Sequence, residues 1–282
     1  MGIRTLAVAA ILCALAPMSW GKVAVKTVDF PGAIATQAMS VNDRGEIVGF
    51  YTNSDASMHG FLFSRGAYTT IDFPGASLTG AMGINNTGQI VGFYSAGSFV
   101  QGFYYDGATY TTLQPPGATL SIANGINNYG DVVGYYKTTG IIRHGFEWSN
   151  GAYRHINPPG TNDSEVTAIN DRGDMVGFYT DSSGEDHGFW LSGQTFQTLD
   201  DPDGANTSVW GINNEEITVG YFVRPAGGTT GFASSNGEFV SIFLKGVNYT
   251  GAQGINNTGQ IVGYYINTDG SVHGFLESIK TR

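Results

Sequence analysis

The amino-acid sequence predicts an all-β fold: a six-bladed β-propeller with four antiparallel strands per blade, in which the N-terminal strand closes the last blade. Three observations predict this fold. One phrase, Ile-Asn-Asn or a close variant, occurs six times at a spacing of 42 or 43 residues. Each repeat contains four short runs rich in β-branched and aromatic residues, and apolar residues nowhere keep a helical spacing. Four strands per forty-odd residues is the period of a propeller blade.

The repeated phrase marks the end of the first strand of each unit. Its six copies are Val41-Asn42-Asp43, Ile84-Asn85-Asn86, Ile126-Asn127-Asn128, Ile169-Asn170-Asp171, Ile212-Asn213-Asn214 and Ile255-Asn256-Asn257. A glycine follows in five units, which is typical of a tight hairpin with a positive φ at that position. The fifth unit has Glu215-Glu216 instead. Because a residue with a side chain is disfavoured there, we expect a distorted hairpin in this unit.

The second strand of each unit contains a glycine followed by two aromatic residues, as in Gly92-Phe93-Tyr94. Glycine weakens a strand unless another chain segment approaches closely. We therefore expect these glycines to allow blades to pack face to face, and the aromatic pairs to fill the core between blades. The equivalent glycines are Gly49, Gly92, Gly134, Gly177, Gly220 and Gly263.

The two ends of the chain complete each other. The last unit stops after its third strand, Gly274-Phe275-Leu276-Glu277, and residues 23–30 form a fourth strand that has no unit of its own. Pairing the two segments gives a sixth blade and closes the ring, so that no long strand edge stays unpaired. The expected domain organisation is a single propeller of six repeats over residues 22–282.

Residues 1–21 are typical of a secretory signal peptide. They contain Arg4, an apolar stretch over residues 6–16 and then Pro17. The apolar stretch is shorter than the roughly 20 residues that a membrane-spanning helix needs, and no longer one follows. We expect a secreted or periplasmic, monomeric protein without a membrane span. Its only cysteine, Cys13, lies in the leader, which excludes disulfides and thiolate chemistry from the mature chain.

The charge balance excludes nucleic acid as a partner. The chain has 13 basic and 23 acidic side chains and a net charge of -10. This is the wrong sign for binding a phosphate backbone.

The repeats resemble those of bacterial HAF-repeat proteins, an extracellular family with an Ile-Asn-Asn-x-Gly-x-Ile-Val-Gly-Tyr block followed by His-Ala-Phe. Here the tripeptide is His-Gly-Phe at His59, His144, His187 and His273, while Gln101 and Thr230 replace the histidine in two units. The likeness covers nearly the whole mature chain. It implies a secreted bacterial propeller-like protein and no particular activity.

The histidines invite a metal-site hypothesis, because four of the five share one repeat position. On separate blades they would lie too far apart to converge on one ion. We expect a structural role, with each imidazole bonded to nearby loop backbone, and a surface or packing role for His155.

The repeats differ most in units four and five, where acidic residues gather in loops at one end of the predicted propeller. Glu165, Asp186, Asp203 and Trp210 are the candidate ligand-binding residues, with Trp210 placed to stack on a sugar ring. Ser164 and Thr207 join them as members of a hydroxyl-bearing position that recurs in all six units. The alternatives are a solvated acidic rim, a buried tryptophan and hydroxyls that satisfy loop backbone.

Two further features concern ligands. Asp181, Glu185 and Asp186 could bind Ca²⁺, which prefers six to eight oxygen ligands, although the spacing matches no EF-hand loop; no cofactor is otherwise indicated. A variable position of the innermost strand is expected to face the central channel. Its residues are Met39, Met82, Asn124, Thr167, Trp210 and Gln253.

The leading functional hypothesis is a secreted binding module for a glycan or an extracellular protein. A carbohydrate-active enzyme, either a glycoside hydrolase or a lyase that uses the acidic residues, and a structural protein of the cell envelope are the alternatives. No nucleophile elbow, zinc-protease helix or phosphate-binding loop is present, so no catalytic residue is assigned and a role without catalysis is favoured. Fold alone does not separate these functions.

Overall fold

The structure is a computed structural model that describes residues 25–161 and 163–279. These residues form 24 β-strands and no helix. Nothing in the described ranges is therefore a helix long and apolar enough to cross a membrane. The predicted signal peptide, with Cys13, lies outside the described residues, as do residues 23 and 24 of the predicted closing strand.

The strands form six four-stranded units, which we number 1–6 along the chain. Strand β1 spans Lys26–Val28. Unit 1 contains β2 (Ala35–Val41), β3 (Ile47–Thr52), β4 (Met58–Ser64) and β5 (Ala67–Ile71). Unit 2 contains β6 (Leu78–Ile84), β7 (Ile90–Ala96), β8 (Phe99–Tyr105) and β9 (Tyr110–Leu113). Unit 3 contains β10 (Leu120–Ile126), β11 (Val132–Lys137), β12 (His144–Ser149) and β13 (Ala152–Ile156).

Units 4 and 5 repeat this plan, and unit 6 has three strands from the C-terminal part of the chain. They are β14 (Asp163–Ile169), β15 (Met175–Thr180), β16 (Asp186–Ser192) and β17 (Thr195–Thr198); β18 (Ala205–Ile212), β19 (Thr218–Val223), β20 (Thr229–Ser235) and β21 (Glu238–Ile242); and β22 (Val247–Ile255), β23 (Gln260–Asn267) and β24 (Val272–Ser278). Consecutive strands within every unit pair antiparallel.

The fourth strand of unit 6 is β1. It pairs antiparallel with β24, with Lys26 opposite Leu276 and Val28 opposite Gly274. The pairing predicted for the N-terminal segment is therefore present, over three residues. Val28 is buried, and Phe30 just beyond the strand packs against the same core.

The phenylalanine of each His-Gly-Phe-type tripeptide forms the centre of a unit. These six rings are among the largest fully buried side chains, at Phe61, Phe103, Phe146, Phe189, Phe232 and Phe275. Fully burying such a side chain stabilises the fold by about 1.5–3 kcal/mol. The tripeptide therefore recurs because each unit needs one core ring.

The first asparagine of the repeated phrase joins neighbouring units. Its amide Nδ2 donates to the backbone oxygen of the equivalent asparagine in the next unit, and its Oδ1 accepts hydrogen bonds from its own hairpin, as from Arg44 N and Glu46 N to Asn42. The inter-unit bonds measure 2.8–3.3 Å. Each asparagine bonds to the next one along the chain, in the order Asn42, Asn85, Asn127, Asn170, Asn213 and Asn256, and Asn256 bonds back to Asn42.

The second residue of the phrase makes a parallel set of bonds. Its backbone N–H donates to the side-chain oxygen of the equivalent residue in the next unit, as from Asp43 to Asn86 at 2.8 Å and from Asn257 to Asp43 at 2.8 Å. Because each polar group has a partner, the buried asparagines carry little desolvation cost. We call the two sets together the asparagine belt.

The glycine of each second strand serves a different purpose from the one predicted. A Cβ on Gly220 would collide with the backbone oxygen of Ser208 and approach the Phe232 ring to 2.9 Å, and both neighbours belong to the same unit. The expectation of face-to-face packing between blades at these positions is therefore wrong. The inner strand bulges next to this site, as the register shift between Val209 and Gly211 shows, and brings its carbonyl over the glycine.

Close approach between units occurs instead one strand further in. A Cβ on Gly125 would lie 2.9 Å from Ala168 Cα of the next unit, and one on Gly254 would lie 2.8 Å from Met39 O of unit 1. Small residues on the innermost strands thus let the six units converge.

The hairpin of unit 5 keeps its shape without glycine. Glu216 has φ +62°, in the left-handed region, and its N–H donates to Asn213 O at 3.2 Å, the bond that Gly45 makes with Asn42. The predicted distortion is absent because the asparagine holds the turn, so the strain falls on the backbone of Glu216.

Replacing Glu216 is expected to reveal this strain. Glu216→Gly should be more stable than Glu216→Ala by about 1 kcal/mol, because only alanine keeps a Cβ in the left-handed region. Both variants lose the exposed Arg172–Glu216 ion pair, so the comparison cancels it. Urea denaturation of the two proteins measures the difference; equal midpoints would contradict the expected strain.

Candidate functional site

The innermost strands surround an open cavity of about 630 Å³, including space continuous with solvent. The residues of the variable inner-strand position all line it, as predicted. Met39 and Met82 give units 1 and 2 an apolar wall, whereas Asn124, Thr167 and Gln253 make the wall of units 3, 4 and 6 polar. Trp210 is the aromatic member.

The aromatic pairs of the second strands divide between two environments. The second member belongs to or packs against a hydrophobic core cluster in every unit except unit 3, as Tyr51 and Tyr94 do, which agrees with the prediction. The first member instead lies over the innermost strand of its own unit, as Phe93 covers Gly80. The pair splits because successive strand residues point to opposite faces.

In units 4–6 these first aromatic residues join others into a continuous line that we call the aromatic row. Ring centroids are 5.9 Å apart from Phe178 to Trp210, 6.3 Å from Trp210 to Tyr221, 5.7 Å from Tyr221 to Tyr249 and 5.0 Å from Tyr249 to Tyr264. Except for buried Phe178, the rings are half-buried. Tyr264 donates to the Tyr249 hydroxyl at 3.1 Å. The row therefore combines aromatic rings with three tyrosine hydroxyls, and its member Trp210 also lines the cavity.

Arg143 lies at the Phe178 end of the row. Its guanidinium carbon is 4.8 Å from the centroid of the Phe178 ring, within the range of a cation–π contact. Its Nε donates to Asp163 Oδ1 at 2.8 Å and it approaches Glu165 Oε2 to 3.5 Å. Burial alone would lower the pKa of Arg143, but Asp163 and Glu165 outweigh burial and raise it.

Glu165 is buried under this cation. It accepts a hydrogen bond from Asn124 Nδ2 at 3.0 Å. Burial raises the pKa of its carboxyl to about 7, against the opposing effects of Arg143 and Asn124. Removing the Glu165 carboxylate from water costs more free energy than the ion pair with Arg143 and the hydrogen bond from Asn124 provide.

This raised pKa predicts a pH dependence of stability. Between pH 4.5, the ordinary pKa of a glutamate carboxyl, and pH about 7, the folded state holds a proton on Glu165 that the unfolded state has released. Its contribution is therefore fully present below pH 4.5, declines as the pH rises and is lost above about 7, with a total near 3 kcal/mol. Glu165→Gln should flatten this decline. Urea denaturation of both proteins at a series of pH values tests it, and parallel curves would contradict it.

The structure brings some of the sequence-predicted site residues together and separates others. Trp210 is a member of the aromatic row, and Glu165 lies beside Arg143 at the Phe178 end of the row. Asp186 accepts from the Thr180 hydroxyl at 2.6 Å, and Thr180 accepts from Arg143 at 2.9 Å, so Asp186 adjoins the same cluster. Asp203 lies apart, on an exposed turn where its N–H donates to Asp201.

Ser164 and Thr207 are buried, and their hydroxyls are hydrogen-bonded to groups of the adjacent loops. The Ser164 hydroxyl donates to Asn157 Oδ1 at 2.7 Å, and the Thr207 hydroxyl accepts from Asp201 N at 3.0 Å. Their relative exposures are 0% and 1%. Their geometry fits the alternative in which these hydroxyls satisfy loops.

The residues suggested for calcium do not converge. Asp181 Oδ1 accepts from Ser183 N and Oγ and from Glu185 N, which closes its own turn. Glu185 is exposed and Asp186 faces Thr180. Within residues 25–161 and 163–279, no three or more His, Cys, Asp or Glu side chains are grouped so as to hold a metal ion.

Three of the repeat histidines bond to aspartates rather than to loop backbone, which corrects the expected partner. The Nδ1 atoms of His59, His187 and His273 lie 2.7–2.9 Å from Asp72, Asp200 and Asp29. In units 1 and 6 the other ring nitrogen meets a serine, Ser57 or Ser271, whereas in unit 4 it faces Asp181. Because an aspartate can replace the serine, the recurring element is a bridge between two loops and not a hydrolase triad.

Unit 3 lacks this bridge. Asn157 stands where the aspartate would be and bonds to Ser164, and His144 Nδ1 is buried without a hydrogen-bond partner. His155 contacts His144, with ring centroids 5.4 Å apart, and lies exposed, which fits the predicted surface role.

Sequence reasoning missed Arg143 and most of the row. The signal for Arg143 was available: it directly precedes the tripeptide histidine, where the other units have Met58, Val100, Asp186, Thr229 and Val272. The row had a weaker signal, because its tyrosines at 221 and 264 belong to a position that is aromatic in every unit.

No family model and no curated protein matches this chain. Solved structures do resemble it. The fucose-specific lectin from Aleuria aurantia is 12% identical, with a TM-score of 0.56 over 89% of this chain and 97% of that one.

Two further structures are similar. SapL1 lectin, solved in complex with α-methyl fucoside, is 12% identical with a TM-score of 0.57 over 88% of this chain and 96% of its own. TolB from Acinetobacter baumannii is 11% identical with a TM-score of 0.53, and this chain spans 55% of its length. At such identities the likeness shows the fold alone, so the chain is a β-propeller-type all-β protein.

Proposed function

We propose that this chain is a secreted, closed six-bladed propeller that binds a glycan at the aromatic row. The observation that carries the proposal is the row itself, a continuous line of half-buried Trp and Tyr rings beside a polar cluster. Sugar rings have an apolar face that stacks on aromatic side chains, and hydroxyls that need precisely placed polar partners. Trp210, Tyr221 and Tyr249 supply the aromatic side chains for stacking. Arg143 with Asp163 and Glu165, which we call the Arg143 cluster, supplies the polar partners.

Closure into six blades is part of the proposal. It is supported by the asparagine belt, whose last bond returns from Asn256 to Asn42, and by the pairing of β1 with β24. Contact between Gly254 and Met39 adds support, since residues so far apart in sequence meet only if unit 6 adjoins unit 1.

The cluster favours binding over catalysis. Glycoside hydrolysis needs two carboxyls that reach the substrate, at about 5–10 Å from each other. Glu165 is buried beneath Asn124 and Arg143, and Asp163 is engaged by Arg143. Both carboxyls are thus committed to holding the cation.

A glycan array that includes α-fucosides, named for the similar lectins, tests the proposal. Trp210→Ala is expected to weaken binding of any hit by about 30-fold, the effect of losing one dominant contact of about 2 kcal/mol. Trp210→Phe keeps a ring and should lose less. Equal melting temperatures would confirm that both variants are folded. Absence of any hit would leave the envelope-structural alternative, and full binding by Trp210→Ala would exclude the aromatic row as the site.

A further inference from the structure

The end of the molecule that carries the polar cluster is strongly negative. At this end lie the loops between second and third strands and those that lead into each first strand. They contain nine carboxylates and three cations. The carboxylates are Asp29, Asp55, Asp72, Asp181, Glu185, Asp200, Asp201, Asp203 and Asp269, and the cations are Arg143, Arg224 and Lys245.

The guanidinium of Arg143, at the Phe178 end of the row, already has partners on all three of its nitrogens. The Arg143 Nε bonds to Asp163, one terminal nitrogen faces Glu165 at 3.5 Å and the other donates to the Thr180 hydroxyl. A carboxylate or sulfate on a sugar would have to displace one of these partners and enter a negative field.

The contact between Arg143 and Phe178 shows a cation bound at one end of the aromatic row. The Arg143 guanidinium lies over the Phe178 ring, the first member of the row, beside the Asp163 carboxylate and the buried Glu165 carboxyl. Trp210 and Tyr221 continue the row, with near-parallel rings whose centroids are 6.3 Å apart, and Trp is the strongest cation–π partner.

We propose that the glycan bound at the row is basic, a chain of amino sugars whose protonated amine lies over Trp210 and Tyr221 and faces the Arg143 cluster. This inference rests on the proposed function and narrows it to one chemical class. Neutral sugars would stack without the charge contribution, and uronates or sulfated sugars would be repelled.

Three oligosaccharides of equal length test the charge preference. Calorimetric titration with oligomers of glucosamine, N-acetylglucosamine and galacturonate compares an amine, a neutral amide and a carboxylate. We expect the amine form to bind about 10-fold more tightly than the neutral form, as one cation–π contact of ~1–2 kcal/mol implies, and no binding of galacturonate. The preference should shrink at 1 M salt, where charges are screened within about 3 Å.

Variants then locate the effect. Asp163→Asn should reduce the preference for the amine form, whereas Glu238→Gln, the same charge change in an exposed hairpin at the opposite end, should not. Equal binding of the neutral form, or tight binding of galacturonate, would overturn the inference. If the neutral or galacturonate oligomers bind and Trp210→Ala abolishes that binding, the proposed function stands. Amine binding that survives Trp210→Ala would place it elsewhere and overturn the inference as well.

Discussion

Gly220→Ala is expected to unfold the protein or to destabilise it by at least about 4 kcal/mol, the range reached only by severe packing or backbone defects. The new methyl group would collide with the Ser208 carbonyl oxygen and crowd the Phe232 ring. The carbonyl belongs to a paired strand and the ring is fully buried, so neither can withdraw. Circular dichroism and urea denaturation measure the effect.

Gly231→Ala in the same unit is the matched control. Gly231 faces Tyr221 across the strand pair, one residue from the pair of Gly220 with Phe232. A Cβ there would lie 3.4 Å from its nearest neighbours, an ordinary contact. We expect a change within about 1 kcal/mol, because alanine also reduces the entropy of the unfolded chain. If Gly220→Ala were as mild as Gly231→Ala, the glycine would not be required by the bulged strand.

The repeat made much of the fold predictable. A period of 42 or 43 residues, four strands per unit and a spare N-terminal segment predict the strand order that is found, because each unit alternates strands and turns in the same way. The purpose of individual positions was harder to predict. Recurrence marks Gly220 and Asn213 as necessary, but only the structure shows that one lies under a carbonyl and the other spans two units.

The candidate site was only partly predictable for a related reason. Glu165 and Asp203 were grouped because their loops lie at one end of the predicted propeller, yet Asp203 turns outward while Arg143, from the preceding unit, supplies the partner of Glu165. Contacts between units join residues about one repeat apart, such as Asn124 and Glu165. A search of single loops does not find them, whereas comparing equivalent positions across units singles out Arg143.

Removing β1 is expected to have the second large effect. A chain that begins at Pro31 lacks the pairing of β1 with β24, the buried Val28 and the Phe30 ring, which stacks on Tyr51 with centroids 3.6 Å apart. Burial of the Val28 side chain alone contributes about 1.5–3 kcal/mol, and the partly buried Phe30 ring adds to this. The β24 edge would also be exposed, which favours association. We expect a lower urea midpoint and larger species in size-exclusion chromatography, compared with a chain that begins at Val25.

A peptide of residues 25–31 should restore stability to the shortened chain, because an added strand can pair with a free sheet edge. A peptide with Val28→Asp should fail, since it would bury an unpaired carboxylate among the side chains around Phe61. Rescue by the first peptide alone would mean that unit 6 needs a strand from the other end of the chain and that β24 is the edge it joins. Equal midpoints for the chains beginning at Val25 and Pro31 would instead mean that β1 contributes nothing to the fold, and closure through β1 would have to be abandoned.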